Sequence, residues 1–336
     1  MQKYFHCLLL FFVACSVGLN QQAVGAGKKK KPLESLPAMV PAPDDNPTTP
    51  AKVELGRQLF FDVRLSGNNQ MSCASCHLPD KSFADGQPQS QGHAGRKLSR
   101  NTPSLLNVAF LPRYFWDGRV TSLEEQALGP IQSPAEMNQG LNELEVELRA
   151  IPGYVTQFSE VFDAEITRVQ IGQALAAFQR TLVSKPAPFD RFLAGEQDAI
   201  SAAARRGMEL FQGDAGCVRC HRGPLLSDGE FYRLGLAGED AGLAAITHKS
   251  ADRGKFRTPP LRNVAQTGPY MHDGSMKSLN DVVTYYYRGV PTIGNDGMKL
   301  DVQPLIGQSF SEIPDIVAFL ESLSGESPKI EAPHLP

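Results

Sequence analysis

The sequence has no large excess of charge of either sign and only one tryptophan. Its 33 basic and 36 acidic residues leave a net charge of -3, which does not suit a protein that binds nucleic acid mainly by neutralising phosphates. We therefore predict no nucleic-acid partner. Its 336 residues exclude a single small module and predict about two domains, while 25 prolines and 30 glycines predict long ordered loops.

The first residues are typical of an export signal. Lys3 precedes an apolar run, Cys7 to Val17, which is too short to span a bilayer as a folded helix, and small residues follow at 23–26. We predict that residues 1–26 are an export signal and that the protein is periplasmic. Lipid attachment at Cys15 is a second interpretation, although Phe12 stands where a lipobox usually has leucine.

Four cysteines remain after the signal, and all lie in two C-x-x-C-H motifs: Cys73, Cys76 and His77, then Cys217, Cys220 and His221. This spacing places two thiols where both can add to the vinyl groups of one haem, and the adjacent histidine becomes the proximal iron ligand. A dithiol redox pair or a zinc site would not call for histidine directly after both pairs. We predict two covalently bound haem c groups.

The chain also repeats itself. Without a gap, eleven of the twenty-two residues in 102–123 recur 156 positions later, and Gly56 with Leu59-Phe60 has an echo in Gly207 with Leu210-Phe211. This pattern predicts a tandem duplication. Apolar residues at helical spacing predict helices over 136–150, 166–184 and 313–323, and no convincing strand pattern is present.

We therefore predict a mainly α fold with two tandem c-type cytochrome domains and long loops. Residues 27–50 contain four consecutive lysines and six prolines, so they are predicted to form an extended, solvated linker. Pro186 and Pro188 mark the boundary between an N-terminal domain, 51–190, and a C-terminal domain, 191–336.

From Ala51 to Gly325 the chain resembles the bacterial dihaem cytochrome c peroxidase and MauG family. The resemblance rests on Phe115–Arg119, on Gln126, Pro130 and Glu136 at their spacing from it, and on Tyr270–Gly274. It implies that the haem on His77 is the peroxide site and that the haem on His221 is the electron-transfer site. It also implies that Trp116 lies between them, where an aromatic ring can carry electrons; the alternative is a buried core anchor.

Cleavage of an O–O bond needs a vacant iron position and a group that moves a proton between the two oxygens. A carboxylate in a mostly apolar pocket can do this, and Glu136 is the candidate. The alternative is a residue that stabilises the dipole of the predicted helix start. Gln126 would hydrogen-bond the bound peroxide, and its alternative is an exposed helical side chain.

The 156-residue offset pairs Pro130 with Tyr286. Proline has no side-chain donor and would leave the first iron open, whereas a tyrosine oxygen can be the sixth ligand of the second haem. In the resembled family this position is Met in peroxidases and Tyr in MauG; Met271 and Met276 are the competing ligands. His93 stands where peroxidases carry a histidine that blocks the resting peroxide haem, or it is a solvated loop residue.

The resemblance implies a calcium ion as well, bound by the Asn101 side chain and by backbone carbonyls of Thr267 and Pro269. The alternative is that Asn101 caps a turn.

In the resembled family, MauG passes oxidising equivalents to a protein through a surface tryptophan just before its second haem motif. This chain has Ala215 at that position, which weakens the case for a MauG-like protein substrate.

Together these features predict a peroxidase that reduces hydrogen peroxide to water with electrons from a small cytochrome c or cupredoxin. A MauG-like oxidase that modifies a partner protein is the alternative. A plain electron carrier is disfavoured, because a carrier has both axial positions filled and needs no proton-moving acid. A homodimer stays open.

Overall fold

Several helices begin where the sequence supplies an N-cap oxygen or a proline in the first turn. In the computed structural model, Ser122 Oγ accepts the backbone N–H of Glu125, and Ser201 Oγ accepts that of Ala204. The structure describes residues 33–236, 238–288, 300–302 and 309–336. The predicted export signal, Cys15 and the start of the predicted linker lie outside these ranges.

The described residues are mainly helical, as predicted. The helices are α1 (Pro50–Phe61), α2 (Leu123–Gln132), α3 (Leu141–Arg149), α4 (Pro152–Phe162), α5 (Arg168–Gln179), α6 (Pro188–Leu193), α7 (Ala202–Gln212), α8 (Ala244–Thr247), α9 (Leu279–Arg288) and α10 (Ile313–Glu321). The predicted helices over 166–184 and 313–323 correspond to α5 and α10. The one predicted over 136–150 is wrong at its start, because residues 133–140 form a turn and α3 begins only at Leu141.

Each half of the chain has its own apolar core. In the first, α1 and α2 pack on α5; in the second, α7 and α9 pack on α10. Glycine lets the helix pairs come close: a Cβ on Gly56 would lie 1.9 Å from the Ala174 carbonyl oxygen, and one on Gly207 would lie 1.9 Å from that of Asp315. The echo between Gly56 and Gly207 therefore marks the same kind of helix contact in both halves.

Further local features recur between the halves. Helices α2 and α9 have the same length and are separated by the 156-residue offset. Asn107 and Asn263 both have φ 61°, which places both in the left-handed region, and Gly118 and Gly274 both have φ 67°. Helices α3 and α4 lie between α2 and α5 in the first half.

The structure departs from the sequence predictions at two further places. Strands β1 (Phe231–Arg233) and β2 (Lys255–Arg257) form an antiparallel pair, and three residues each are too few for an alternating pattern to be seen. In the described part of the predicted linker, Leu33 and Asn46 are buried, so the prediction of full solvation is wrong there. Asn46 Nδ2 donates to Glu124 Oε1 at 2.6 Å, which ties the segment to α2.

The described residues, from 33 onward, belong to one compact unit. None of the helices in its described residues combines the length and the apolar character that crossing a membrane requires.

Candidate dihaem site

The first C-x-x-C-H motif forms a short 3-10 turn, Cys73–Ser75, that begins one residue after Ser72. Ser75 Oγ accepts the Ser72 backbone N–H at 3.0 Å, and the His77 N–H donates to the Cys73 carbonyl at 3.0 Å. The His77 ring is fixed by a 3.0 Å contact between Nδ1 and the Phe83 carbonyl oxygen. A carbonyl can only accept, so Nδ1 carries the proton and Nε2 is free to bind a metal.

The second motif has the same construction. The His221 N–H donates to the Cys217 carbonyl at 2.9 Å, and His221 Nδ1 lies 2.9 Å from the Leu226 carbonyl oxygen. Burial lowers the pKa of both His77 and His221, which favours the neutral imidazole that iron requires.

The four cysteines of the two motifs are free thiols in the described chain. Burial raises the pKa of Cys73 to about 12, that of Cys76 to about 11 and that of Cys217 to about 12. Catalytic dithiol pairs have lowered pKa values, because they work as thiolates. These pairs are therefore unlike a redox motif, and they fit thiols that are consumed in attachment to haem.

One cavity of about 1710 Å³ is lined by both motifs. A site for one small molecule typically measures about 300–1,000 Å³, so this cavity has room for more than one large cofactor. The thiols, the oriented histidines and the cavity fit two haems.

Helix α2 presents two predicted residues to this cavity, Gln126 and, one turn later, Pro130. Gln126 Oε1 is buried and has no hydrogen-bond partner among the described residues. Buried polar atoms are normally paired, so an orphaned oxygen at a cavity wall indicates a ligand or water as its partner. The exposed-side-chain alternative for Gln126 is not what the structure shows.

Helix α9 carries three consecutive tyrosines, and only the middle one lines the cavity with an uncommitted hydroxyl. Tyr285 donates to the Leu234 carbonyl at 2.7 Å, and Tyr287 donates to Glu312 Oε2 at 3.0 Å. Tyr286 makes no hydrogen bond within the described chain, and burial raises the pKa of its hydroxyl. Of the competing ligands, Met271 lines the cavity and Met276 does not.

Glu136 lines the cavity from the turn between α2 and α3, so it does not begin a helix as predicted. It is half-buried, and its backbone carbonyl accepts the His93 N–H at 2.7 Å. The His93 loop is thus docked on the turn that carries Glu136. The His93 ring does not line the cavity, and its Nδ1 is buried without a partner in the described chain.

Trp116 lines the same cavity, between segments of the two halves. Its Nε1 donates to the Asn101 carbonyl at 2.9 Å, and its own carbonyl accepts the Arg257 N–H at 2.9 Å. In the other direction the Asn101 N–H donates to the His272 carbonyl at 2.7 Å. Trp116 is therefore held rigidly where the two halves meet.

The three residues predicted to bind calcium, Asn101, Thr267 and Pro269, all line the cavity. Asn101 Nδ2 donates to the Gln87 carbonyl at 2.9 Å, which leaves Oδ1 as a free acceptor. No cluster of three or more His, Cys, Asp or Glu residues suited to a metal ion occurs in the described ranges.

Sequence reasoning missed Arg257 and His272, which also line the cavity. The repeat could have identified them, because the 156-residue offset pairs Arg257 with Asn101 and His272 with Trp116, two residues already predicted to belong to the site. In the structure both members of each pair lie at the junction of the two halves.

A mainly helical chain with two oriented C-x-x-C-H histidines at one cavity is typical of the class of dihaem c-type cytochromes. Comparison with known proteins defines the class further. The sequence profile described as di-haem cytochrome c peroxidase matches residues 50–198. Cytochrome-c peroxidase IdrP1 of Denitromonas iodatirespirans is 41% identical over 97% of this chain and 96% of its own length.

Methylamine utilization protein MauG of Methylorubrum extorquens is 43% identical over 89% of this chain and 86% of its own length. A crystal structure of a MauG-like protein associated with microbial copper homeostasis superposes with a TM-score of 0.77 at 34% identity, covering 89% of this chain and 95% of that one. The chain belongs to the di-haem cytochrome c peroxidase and MauG family, and the predicted resemblance is confirmed.

Proposed function

We propose that the protein is a periplasmic peroxidase that reduces hydrogen peroxide to water with electrons from a small cytochrome c or cupredoxin. Two haem c groups, attached through Cys73 and Cys76 and through Cys217 and Cys220, supply the redox chemistry when bound. The names of the relatives support the activity, since several are cytochrome-c peroxidases.

One observation carries the proposal: of two equivalent helices that line one cavity, one presents a proline that cannot bind iron and the other presents a tyrosine that can. Helix α2 offers Gln126 and Pro130, while the same positions of α9 hold Val282 and Tyr286. Proline cannot bind iron, and the amide beside it can hydrogen-bond a small oxygen ligand. Valine cannot hold such a ligand, and the tyrosine oxygen can close the iron. This asymmetry supports a haem on His77 that would stay accessible to a small ligand and a haem on His221 that Tyr286 would close.

Three side chains of the protein would have separate roles in the reaction. Gln126 would orient peroxide through its amide, and Glu136 would take a proton from the inner oxygen and return it to the outer one, which departs as water. The half-buried position of Glu136, with its carboxylate free of hydrogen bonds to the described chain, supports this role. Trp116 would carry electrons between the two sites, and its two hydrogen bonds keep the ring in place.

A calcium ion held by Asn101, Thr267 and Pro269 would stabilise the junction between the halves. The free Asn101 Oδ1 supports this site, and removal of calcium by a chelator should lower activity reversibly. The paired local features of the two halves support an origin by tandem duplication, with domains at 51–190 and 191–336.

The test is steady-state turnover of the haem-loaded protein with hydrogen peroxide and a reduced small cytochrome c. We expect two cytochromes to be oxidised per peroxide. The matched control is His77→Ala, which keeps Cys73 and Cys76 for attachment but loses the proximal ligand, and it should be inactive. If the wild-type protein consumes no peroxide before or after one-electron reduction, the proposal is wrong.

A MauG-like oxidase is the second candidate, and Tyr286 favours it, because the resembled family has tyrosine here in MauG. Ala215 disfavours it: this residue is buried in the second core and offers no surface aromatic ring before the motif. Slow oxidation of cytochrome, together with oxidising equivalents that persist for minutes after peroxide is added alone, would favour this candidate.

A further inference from the structure

We propose that Arg257 is an anion-binding residue for a carboxylate side chain of the haem, a propionate, at the junction of the two halves. This inference rests on the dihaem site proposed above and assigns a role to a residue outside the motifs and axial positions.

Arg257 is a buried cation without an acid to balance it. Its residue is 5% exposed, and no carboxylate of the described chain forms an ion pair with it. Its guanidinium makes two long contacts to carbonyl oxygens, from Nε to Phe115 at 3.3 Å and from Nη1 to Thr258 at 3.2 Å. Burial lowers the pKa of Arg257 to about 10, which reflects the cost of holding this charge out of water.

Two acids that line the same cavity are already paired with other arginines. Arg100 forms ion pairs with Asp117 at 2.6 Å and with Asp240 at 2.7 Å. Arg119 forms a second ion pair with Asp117 at 2.8 Å. A buried guanidinium that is not paired within the protein is normally satisfied by an anionic ligand, and a planar carboxylate matches its fork of donors.

The surroundings of Arg257 face the cavity. Arg257 lines it, as do Tyr114 and Gln179 of α5. Gln179 Oε1 is buried and unpartnered in the described chain. An unpaired cation and an orphaned amide therefore face the cavity that would hold the haems.

The internal repeat relates Arg257 to a residue of the first half. Arg257 occupies the position equivalent to Asn101, and both residues donate their backbone N–H across the junction, to Trp116 and to His272 respectively. One half thus places a neutral amide, the proposed calcium ligand, where the other places a guanidinium.

The test is the reduction potential of each haem, measured by spectroelectrochemistry on holoprotein shown to carry two haems per chain. Arg257→Gln removes a positive charge and leaves a propionate unpaired, so one midpoint potential should fall and should become more dependent on pH. Arg257→Lys keeps the charge and should retain most of the wild-type potential. Arg191→Gln, which removes a charge from an exposed pair with Glu196, is the control and should move neither potential.

Equal potentials in wild type and Arg257→Gln would overturn the proposal. Equal shifts in the Gln and Lys variants would also overturn it, because they would show that the potential does not depend on the charge at this position. If Arg257→Gln fails to fold, a crystal structure of the wild-type holoprotein decides. A guanidinium within hydrogen-bond distance of a propionate oxygen supports the proposal, and one bound to water alone contradicts it. Inactivity towards peroxide in otherwise normal wild-type holoprotein would count against the proposed function and not against this site.

Discussion

Replacing Gln126 by valine separates a role in binding peroxide from a structural role. The second half of the chain supplies the design, because Val282 occupies the equivalent position on α9. Gln126 Oε1 is buried without a partner in the described chain, so an apolar replacement breaks no hydrogen bond within the protein and spares the burial of a polar group. Valine loses only about 0.3 kcal/mol of helix propensity relative to glutamine. We therefore expect the melting temperature of the variant to stay unchanged or to rise.

Activity should move the other way. A hydrogen bond to a charged or strongly polar group is worth about 1.5–3 kcal/mol, and each 1.4 kcal/mol is tenfold in rate, so kcat/KM for peroxide should fall roughly 10- to 100-fold. The assay is peroxide-dependent oxidation of a reduced small cytochrome c, with thermal unfolding of the same holoprotein. Gln132→Val is the control, because this exposed residue on the same helix donates only to the Leu128 carbonyl. Retention of kcat/KM in Gln126→Val, or a matching loss of activity and stability, would refute the reasoning.

Three further substitutions test the other assigned roles. Glu136→Gln removes the proton-moving acid and should lower kcat/KM by about 10²–10⁴ while both haems stay attached; a smaller loss would place proton transfer elsewhere. Tyr286→Phe should raise the reduction potential of the second haem, because an oxygen ligand favours the ferric state, and an unchanged potential would return Met271 as the ligand. Trp116→Phe keeps a ring but deletes the bond to the Asn101 carbonyl, so electron transfer between the sites should slow while peroxide binding keeps its rate.

The sequence predicted most reliably what a repeat or a covalent motif determines. The two C-x-x-C-H motifs and the Pro130–Tyr286 offset required no tertiary information, and the structure brings these residues to one cavity. The offset already selected Tyr286 among three adjacent tyrosines. The engagement of the Tyr285 and Tyr287 hydroxyls could not be predicted from sequence, because their partners, Leu234 and Glu312, are distant in the chain.

The misses have physical causes as well. Helical spacing over 136–150 was continuous in the sequence, but tertiary hydrogen bonds hold the start of that stretch as a turn: the Gly67 N–H donates to the Met137 carbonyl at 2.9 Å, and the His93 N–H to that of Glu136. Propensity is a weak prior against such contacts. Arg257 was missed because a lone arginine is ordinarily solvated, and only its burial reveals the unpaired charge.

The central claim is that one iron is open and the other is closed, and an electron paramagnetic resonance spectrum of the ferric holoprotein tests it most directly. The arrangement of Gln126, Pro130 and Tyr286 predicts one high-spin and one low-spin haem, with peroxide turnover that needs no prior reduction. Two low-spin signals, with turnover only after one-electron reduction, would contradict this account and would show that His93 leaves its buried position beside Glu136 to close the first iron.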